Sequence, residues 1–518
     1  MTTRPPRLLF ALLLSLGALA FAPAAASAAD SFADASRPND NGDCLTPTTA
    51  CRTLNGALAK ASPGSTVRVE PGTYMENVTL SGGISLVAAS GNPVIDPPAG
   101  VGVAVTGGPS VELRGLTFAL DEGDEPALLL GDGAGSVTVT EDSFIDRTPA
   151  TSGQVGIRTT SKGAPAITDN SFQFLAGIQG GAIEVLAPAA GVPGTPRISE
   201  NLISGTSDFG AGILVHSGDS EEVTGPTSAL VVENLISGGA DDSIGVLVND
   251  FGSAVDVPSL PGAGVTMVRN RILGGGDGLL DFAGRAPVTL FGDVIARTGS
   301  ATVSPHPAIE AAANASLGGD VTVTNADIID NSDPAIELFD GHLSLDSSIV
   351  TRSILSIDPE GGPPNCTITF SAGPTTSGDA CQTFQAKLPS RFIEQDNTDF
   401  HLNPGLDGAL IDHGNPATPP PGATDIDGQP RSIDGDGACP LSPVRDIGAD
   451  EFNPGIPTCS PSVVTPPPPV VTPPPAKNIG EMASVGKTGR RAAAVKRCKR
   501  RHRAARRKCI RRAGRLPL

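Results

Sequence analysis

The sequence contains no tryptophan, and Tyr74 is its only tyrosine. Glycine and proline are abundant instead, with 63 and 48 residues in a chain of 518. Large helical domains do not have this composition, and polysaccharide clefts built on aromatic platforms need side chains that this chain almost lacks. The composition predicts short strands that are separated by glycine- and proline-rich turns.

No apolar run after residue 28 is long enough to span a bilayer. The N-terminus has Arg4 and Arg7, an apolar run from Leu8 to Phe21, and the small residues Ala26-Ser27-Ala28. This order is typical of a bacterial export signal and its cleavage site. A retained membrane anchor is the alternative, but a run of about 14 residues is short for a span. We expect a secreted mature chain.

The charge is divided unevenly along the chain. From Lys487 onward there are 15 Lys and Arg and no acid, which leaves 21 basic against 55 acidic residues before it. The export signal argues against nucleic acid as the partner of this tail. We expect salt-sensitive attachment to an anionic wall polymer, lipid headgroup or acidic glycan. The residues expected to bind are Lys496, Arg497, Lys499, Arg500, Arg501, Arg503, Arg506, Arg507, Lys508, Arg511 and Arg512.

The eight cysteines fall into four pairs that are close in sequence, which predicts disulfides in an exported protein. A zinc site is the alternative, but no pair has zinc-knuckle spacing and histidine is scarce. In a helical tail Cys498 and Cys509 would lie too far apart to bridge each other and would link two chains; in a disordered tail they can bridge internally. The other pairs are Cys44/Cys51, Cys366/Cys381 and Cys439/Cys459.

A motif of one small residue followed by apolar residues recurs at intervals of 25 to 33 residues. A constant motif at unequal spacing indicates solenoid coils with variable loops. Two further columns of apolar pairs lie between these motifs, so the pattern predicts an all-β, right-handed, three-sheet parallel β-helix. The first column starts at Gly102, Ala127, Gly156, Ala182, Gly212, Gly245, Gly278, Ala308 and Ala335; the second includes Val111, Val137, Val288, Val321 and Leu343; the third includes Phe144, Leu202, Leu235, Ile272, Ile328 and Ile349.

The turn before the third column often holds asparagine, at Asn170, Asn201, Asn234 and Asn270. Asparagine tolerates left-handed backbone geometry, and its amide can bond to the equivalent asparagine one coil away. We therefore expect a structural ladder at this corner rather than a ligand site.

Before the repeats, Thr53 can cap a short helix that contains Leu54 and Ala57, as expected for the end of a solenoid. After the repeats the amino-acid composition changes, first to a proline-rich stretch and then to a basic one. The expected segments are 1–28 (signal peptide), 29–75 (N-terminal cap and first strand), 76–358 (parallel β-helix), 359–455 (end of the β-helix and an Asp/Gly-rich segment), 456–476 (proline-rich linker) and 477–518 (basic tail).

Two stretches resemble known families. Cys51-Arg52-Thr53-Leu54 with Pro71-Gly72-Thr73-Tyr74 resembles the start of bacterial β-helix proteins of the pectin-lyase-like superfamily. The segments 425–431 and 446–452 resemble the end of the "choice-of-anchor Q" group of surface proteins, in which one of several anchors follows. The resemblance covers roughly 40–455 and implies a β-helix at a cell surface. It does not imply one activity, because the superfamily contains enzymes and non-enzymes.

Among relatives of this fold, lyases imply Ca²⁺ on carboxylates with an arginine base, and glycosidases imply close aspartates. The acids here are scattered: Glu184, Glu310 and Glu337 share the outward position of the first column, but leucines lie between them. Asp281 is the one catalytic candidate, since it falls where neighbouring coils place inward apolar residues. We favour the alternative, a local register shift that turns Asp281 outward.

No cofactor is expected. Ca²⁺ is the one ion for which the sequence places several possible ligands close together. Asp425, Asp427, Asp434 and Asp436 lie in Asp-x-Asp-Gly and Asp-Gly-Asp-Gly. Such spacing can wrap Ca²⁺, but the EF-hand order is missing. An Asx-turn loop is the favoured interpretation.

Leu214, Leu247 and Leu280 share one outward position on successive coils. A contiguous apolar strip usually has a partner, so we expect the chain's own 250–262 loop, or an external partner, to cover it.

These observations favour a non-catalytic, cell-surface or wall-associated β-helix that binds, or is displayed toward, polysaccharide or another surface ligand. A polysaccharide lyase or glycoside hydrolase is the first alternative, and a purely structural solenoid spacer is the second. A groove with converging acids would favour the enzyme, and a body without any groove would favour the spacer.

Overall fold

The structure is a computed structural model, and the described residues are mainly strands. They span 29–453 with gaps at 121–124, 147–153, 161, 175–179, 188–193, 207–209, 218–226, 240–242, 250–261, 283–285, 299–305, 313–319, 330, 332–333, 340–341, 358–365, 375–380, 382–383, 385, 388–399, 418, 420–422, 432 and 434–443.

Three parallel sheets enclose one core, and consecutive strands along the chain pass from one sheet to the next. The described part of sheet I has 13 strands, sheet II has 11 and sheet III has 13. This order, with every strand pair parallel, is a right-handed parallel β-helix, so the predicted fold is confirmed.

The strands of sheet I are Ser31–Ala33, Thr66–Val69, Ser85–Ala88, Gly108–Arg114, Ala134–Thr140, Ala166–Thr168, Arg197–Ser199, Thr227–Val232, Ala263–Val268, Val288–Phe291, Asp320–Thr324, His342–Asp346 and Cys366–Thr369. Those of sheet II are Val78–Leu80, Val103–Val105, Pro126–Leu130, Gln154–Thr159, Gly180–Leu186, Ala211–His216, Ile244–Asn249, Asp277–Phe282, Ile309–Ala312, Ile336–Phe339 and Ile354–Ile357. Those of sheet III are Thr73–Tyr74, Val94–Ile95, Thr117–Leu120, Ser143–Asp146, Ser171–Gln173, Leu202–Thr206, Leu235–Gly239, Arg271–Leu273, Val294–Ala296, Asp327–Ile329, Ile349–Val350, Ala372–Gly373 and Ala386–Lys387.

The corner from sheet I to sheet III has the same length in ten consecutive coils, two residues from Arg114 through Ala372. The first of the two always has a positive φ, between 48° and 74°. The four asparagines of the expected ladder do not take this left-handed position, although asparagine tolerates it. The residue before each asparagine takes it, which leaves the asparagine side chain free to turn into the coil. The left-handed residues are Gly115, Glu141, Asp169, Glu200, Glu233, Arg269, Gly292, Asn325, Ser347 and Phe370.

The expected asparagine ladder is present at this corner. The Oδ1 atoms of Asn201, Asn234 and Asn270 each accept from the backbone N–H of the preceding coil's asparagine at 3.0 Å, and also from its amide Nδ2. An aspartate continues the ladder at each end: Asp142 N–H donates to Asn170 Oδ1, and Asp293 Oδ1 accepts from the N–H of Asn270. All of these side chains are buried, so the ladder satisfies polar groups inside the coil.

The backbone of the next coil and the side chains of sheet III both crowd the small residue of the first column. A Cβ added at Gly212 would lie 2.7 Å from the carbonyl oxygen of Gly245. A Cβ added at Gly212 would lie 3.1 Å from Ile236 Cγ2, and one at Gly278 would lie 2.3 Å from Ile295 Cγ2. The small residue and the apolar residue after it both face inward, so the strand has one extra inward residue. The register shows this: Ala211 pairs with Ile244 and Ile213 pairs with Val246, and the small residue lies between the two pairs. The residue before the small one therefore faces outward.

The N-terminal cap follows the prediction. Ser31–Ala33 begins sheet I, and the helix Leu54–Leu58 closes the first coil. Thr53 caps this helix by accepting from the N–H of Gly56 at 2.9 Å. Glu76 also accepts from the N–H groups of Leu54 and Asn55, so three free helix donors are satisfied. The Glu76 contact comes from the next coil and has no local sequence signal.

The described residues of 400–453 pack on the outer side of sheet III, so several strands of that sheet are buried on both faces. Val294, Ile329 and Ile349 contact a second apolar core with Phe400 and Ile447. Such strands read as continuous apolar runs, as Val294–Ala296 does. The buried Arg431 guanidinium fixes this segment by donating to the carbonyl oxygens of Gly448, Asp450, Ala449 and Asn325.

Two of the predicted disulfides are formed, Cys44–Cys51 and Cys366–Cys381, with Cα atoms 5.1 and 5.8 Å apart. Cys439, Cys459, Cys498 and Cys509 lie outside the described residues. No helix among the described residues is long and apolar enough to cross a membrane.

Candidate functional site

The outer face of sheet II lies between the two corners whose length varies. The connections from sheet III to sheet II range from 3 to 12 residues, and those from sheet II to sheet I range from 2 to 13. The third corner is two residues long in all ten coils from Arg114 through Ala372. Loops that vary on a constant scaffold are where binding residues concentrate, so this face is the candidate functional site.

An apolar cluster occupies the middle of this face and is separate from the main core. It consists of Ala211, Leu214, Ile244, Leu247 and Leu280. Leu280 is 5% exposed, whereas Leu214 and Leu247 are half-buried. All three leucines of the predicted strip lie in this cluster. The loop expected to cover it, 250–262, lies almost entirely outside the described residues.

An ion pair borders the apolar cluster toward the N-terminal end. Arg158 Nε donates to Glu184 Oε2 at 2.7 Å, and the two residues are directly paired in the sheet. Glu184, one of the three acids in the outward position, thus has its charge paired with that of Arg158.

An acidic cluster borders it toward the C-terminal end, and sequence analysis did not assemble this set. Its members are Asp277, His306, Glu310 and Glu337. Glu310 and Glu337 are directly paired on adjacent strands, and His306 Nδ1 lies 3.4 Å from Asp277 Oδ2. Burial raises the pKa of Glu310, and the Glu337 carboxylate raises it further while His306 opposes the shift. Burial also raises the pKa of Glu337.

The signals for the acidic cluster differ in strength. Glu310 and Glu337 occupy the same position of the repeated motif, so their stacking can be read from the sequence once the coils are aligned. Asp277 is in register with Ile244 and Ala211 of the preceding coils. Its outward direction follows only once the extra inward residue of the strand is known. His306 comes from a connection of variable length, and no sequence pattern places it.

Asp281 faces the core. It is in register with Val248 and Ala311 and is 1% exposed. The register shift that the sequence favoured is therefore wrong, because the strand keeps its alignment through this residue. Since Leu280 next to it points outward, Asp281 and the acidic cluster lie on opposite sides of the sheet.

Asp425 and Asp427, the two described residues of the expected calcium set, direct their carboxylates to different partners. Asp425 accepts through Oδ1 from the N–H groups of Asp427 and Gln429, and through Oδ2 from that of Glu451. These bonds are the Asx-turn arrangement that was favoured. Asp427 instead accepts from Arg271 and contacts His401. Asp434, Asp436 and all the basic-tail residues lie outside the described residues.

No protein-family model matches the chain, and no curated protein matches it. The solved structures that resemble it include the following three. A pectate lyase has 14% identity, a TM-score of 0.35, and coverage of 82% of this chain and 96% of its own. A rhamnogalacturonan lyase has 10% identity, a TM-score of 0.29, and coverage of 68% of this chain and 88% of its own. An alginate lyase mutant has 14% identity, a TM-score of 0.35, and coverage of 62% of this chain and 46% of its own.

Proposed function

We propose that this is a secreted, surface-associated β-helix protein that holds a polysaccharide on the outer face of sheet II without cleaving it. The acidic cluster beside the half-buried Leu214 and Leu247 carries the proposal. Carboxylates and an imidazole pair with sugar hydroxyls, and leucines contact the apolar side of a sugar ring. From Arg158 to Glu337 the face covers six coil steps, about 29 Å, and so offers room for an extended chain.

The charge of the body favours a neutral or amino-bearing glycan. Glu310 and Glu337 are adjacent acids, and the chain before Lys487 carries 21 basic against 55 acidic residues. A polyuronate would meet repulsion on this face, whereas an amino sugar would gain a charge-assisted hydrogen bond.

A glycan array with the mature protein tests this proposal. We expect binding to neutral or amino polysaccharides, at least about tenfold weaker in Glu337→Gln, because the loss of one charged hydrogen bond costs about 1.5–3 kcal/mol. Glu112→Gln, a carboxylate on the outer face of sheet I, is the matched control and should bind like the parent. Equal binding by Glu337→Gln would place the ligand elsewhere, and no binding at all would favour a structural spacer.

Hydrolysis is the second candidate, and the Glu310–Glu337 pair is what favours it. Two carboxylates on adjacent strands with raised pKa values can supply an acid and a base or nucleophile to a glycosidic bond. Release of reducing ends by the parent, lost in Glu310→Gln with binding retained, would identify an enzyme. We expect binding without release, and no unsaturated product from pectate or alginate.

Surface attachment is assigned to the basic tail, in keeping with the resemblance to proteins that carry an anchor after this segment. Cells expressing the chain with and without residues 477–518 should be fractionated at low and high salt. We expect the full chain to stay with the cells at low salt and to be released at high salt, because exposed charge pairing is screened. Equal release of both forms at low salt would show that the tail is not the attachment.

A further inference from the structure

Three side chains from distant points of the C-terminal segment meet at one place. His401, Asp427 and Asp450 each offer one ligand atom, and these atoms all lie within 4.8 Å of one another. His401 Nε2 lies 2.5 Å from Asp427 Oδ2. The segment therefore brings an imidazole nitrogen and two carboxylates together without using the outer face of sheet II.

Asp450 brings a buried carboxylate to this meeting point. Its Oδ2 accepts from the N–H of Leu402 at 2.7 Å, and Oδ1 has no hydrogen bond with the described residues. Asp450 is 3% exposed. A buried carboxylate with an unused oxygen needs a cation beside it if it is to be ionised.

Asp427 is held with one oxygen directed at the same point. Asp425 fixes the Asp427 loop through its bonds to the N–H groups of Asp427 and Gln429. Arg271, from a strand of sheet III, donates to Asp427 Oδ1 at 3.0 Å. Oδ2 is left to face His401, so an ion can use Oδ2 while the ion pair with Arg271 remains.

One of the three side chains also borders a cavity. The cavity, of about 520 Å³, is lined by Asp427 and Gly428 and by Leu235 and Arg271 of the solenoid. An ion held by three side chains needs at least one further ligand. His401 and Asp427 are exposed, so solvent water can supply it.

We propose that His401, Asp427 and Asp450 bind a divalent transition-metal ion, for which Zn²⁺ is the best match. One imidazole nitrogen with two carboxylate oxygens is a donor set that Zn²⁺ accepts in four-coordinate geometry. Ca²⁺ takes oxygen ligands, so the histidine selects against it. The ion would join residues 401, 427 and 450, which lie in three different parts of the segment on sheet III.

The test is Zn²⁺ titration of the metal-stripped full chain, followed by its melting temperature and by the visible absorption of Co²⁺ as a substitute ion. We expect Zn²⁺ to raise the melting temperature of the parent. His401→Ala and the isosteric Asp450→Asn should bind Zn²⁺ at least about tenfold more weakly, since each removes a ligand. Both variants should melt near the parent temperature when no metal is present, which would show that they fold.

His413→Ala is the matched control, because His413 belongs to the same segment and its Nδ1 lies against the carbonyl oxygen of Ile411 instead. It should keep the full response to Zn²⁺. Binding through the tail residues His502, Cys498 or Cys509 would be unchanged in all of these variants. An unchanged Zn²⁺ shift in both His401→Ala and Asp450→Asn, or a shift by Ca²⁺ that does not depend on His401, would overturn the proposal. The site is independent of the glycan proposal, so either can fail alone.

Discussion

Replacing Ile213 with aspartate is expected to lower the free energy of unfolding by at least about 3 kcal/mol. Ile213 is fully buried and stacks in register between Ile183 and Val246. The variant loses the apolar contacts of isoleucine and places a carboxyl group in the core without a designed partner. Urea unfolding followed by circular dichroism measures the loss.

Thr266→Asp is the control for this substitution. Thr266 lies in the middle of a sheet I strand and faces outward, exposed, next to the buried Val265. The Thr266→Asp substitution introduces the same charge in the middle part of the solenoid. It should change the free energy of unfolding by less than about 0.5 kcal/mol. If the Ile213→Asp protein unfolds at the parent urea concentration, the assigned inward register of sheet II is incorrect.

Stability should fall as pH rises from about 4 to 7, and Asp142→Asn should remove part of that fall. Burial raises the pKa of Asp142 well above its ordinary value, and burial raises the pKa of Asp293 to about 7. A carboxyl whose pKa is higher in the folded state binds its proton more tightly there. Its stabilising contribution is complete below about pH 4 and is lost as pH rises through the folded pKa.

Asp142 is the better variant because the ladder already shows what asparagine would do there. Asp142 Oδ1 accepts from the N–H of Leu116, and Oδ2 has no partner among the described residues. In the next coil, Asn170 Nδ2 donates to the carbonyl oxygen of Val139. We expect Asp142→Asn to gain the equivalent bond to Leu113 and to stabilise the protein by roughly 1–3 kcal/mol at pH 7.

The pH profile distinguishes this gain from a general one. At pH 4 the aspartate is protonated, so the difference between Asp142→Asn and the parent should shrink. The Ser36 hydroxyl lowers the pKa of Asp34, so that group titrates below this window. Thermal melts of both proteins at several pH values measure the effect. A difference that is constant from pH 4 to 8 would mean that Asp142 is not protonated in the fold.

The coils could be predicted because the sequence repeats the physical constraint of each strand. A glycine or alanine recurs in the first column since sheet III packs against that position, as Ile236 does against Gly212. The identity of the left-handed residue could not be predicted, because Glu200, Arg269 and Phe370 have no shared chemistry. The constant corner imposes that conformation on whatever residue stands there, and the asparagine beside it supplies the bonds.

The candidate sites could be predicted only in part, because they depend on where connections of variable length return. Glu310 and Glu337 are visible as equivalent positions, but His306 reaches them from a loop. Likewise, Asp427 was found as a possible metal ligand, but His401 and Asp450 are each more than 20 residues away along the chain. Their meeting depends on how the C-terminal segment folds back on sheet III, which a local sequence motif cannot predict.

The fixed corner between sheets I and III also determines where the protein can change in evolution. A residue inserted there would displace an asparagine from its stack and shift the strand of sheet III that follows it by one position. Residues inserted at the other two corners lengthen a surface loop and leave the stack in place. Lineages of this protein should therefore acquire new loops around sheet II, and so new specificities, while the opposite corner keeps its length.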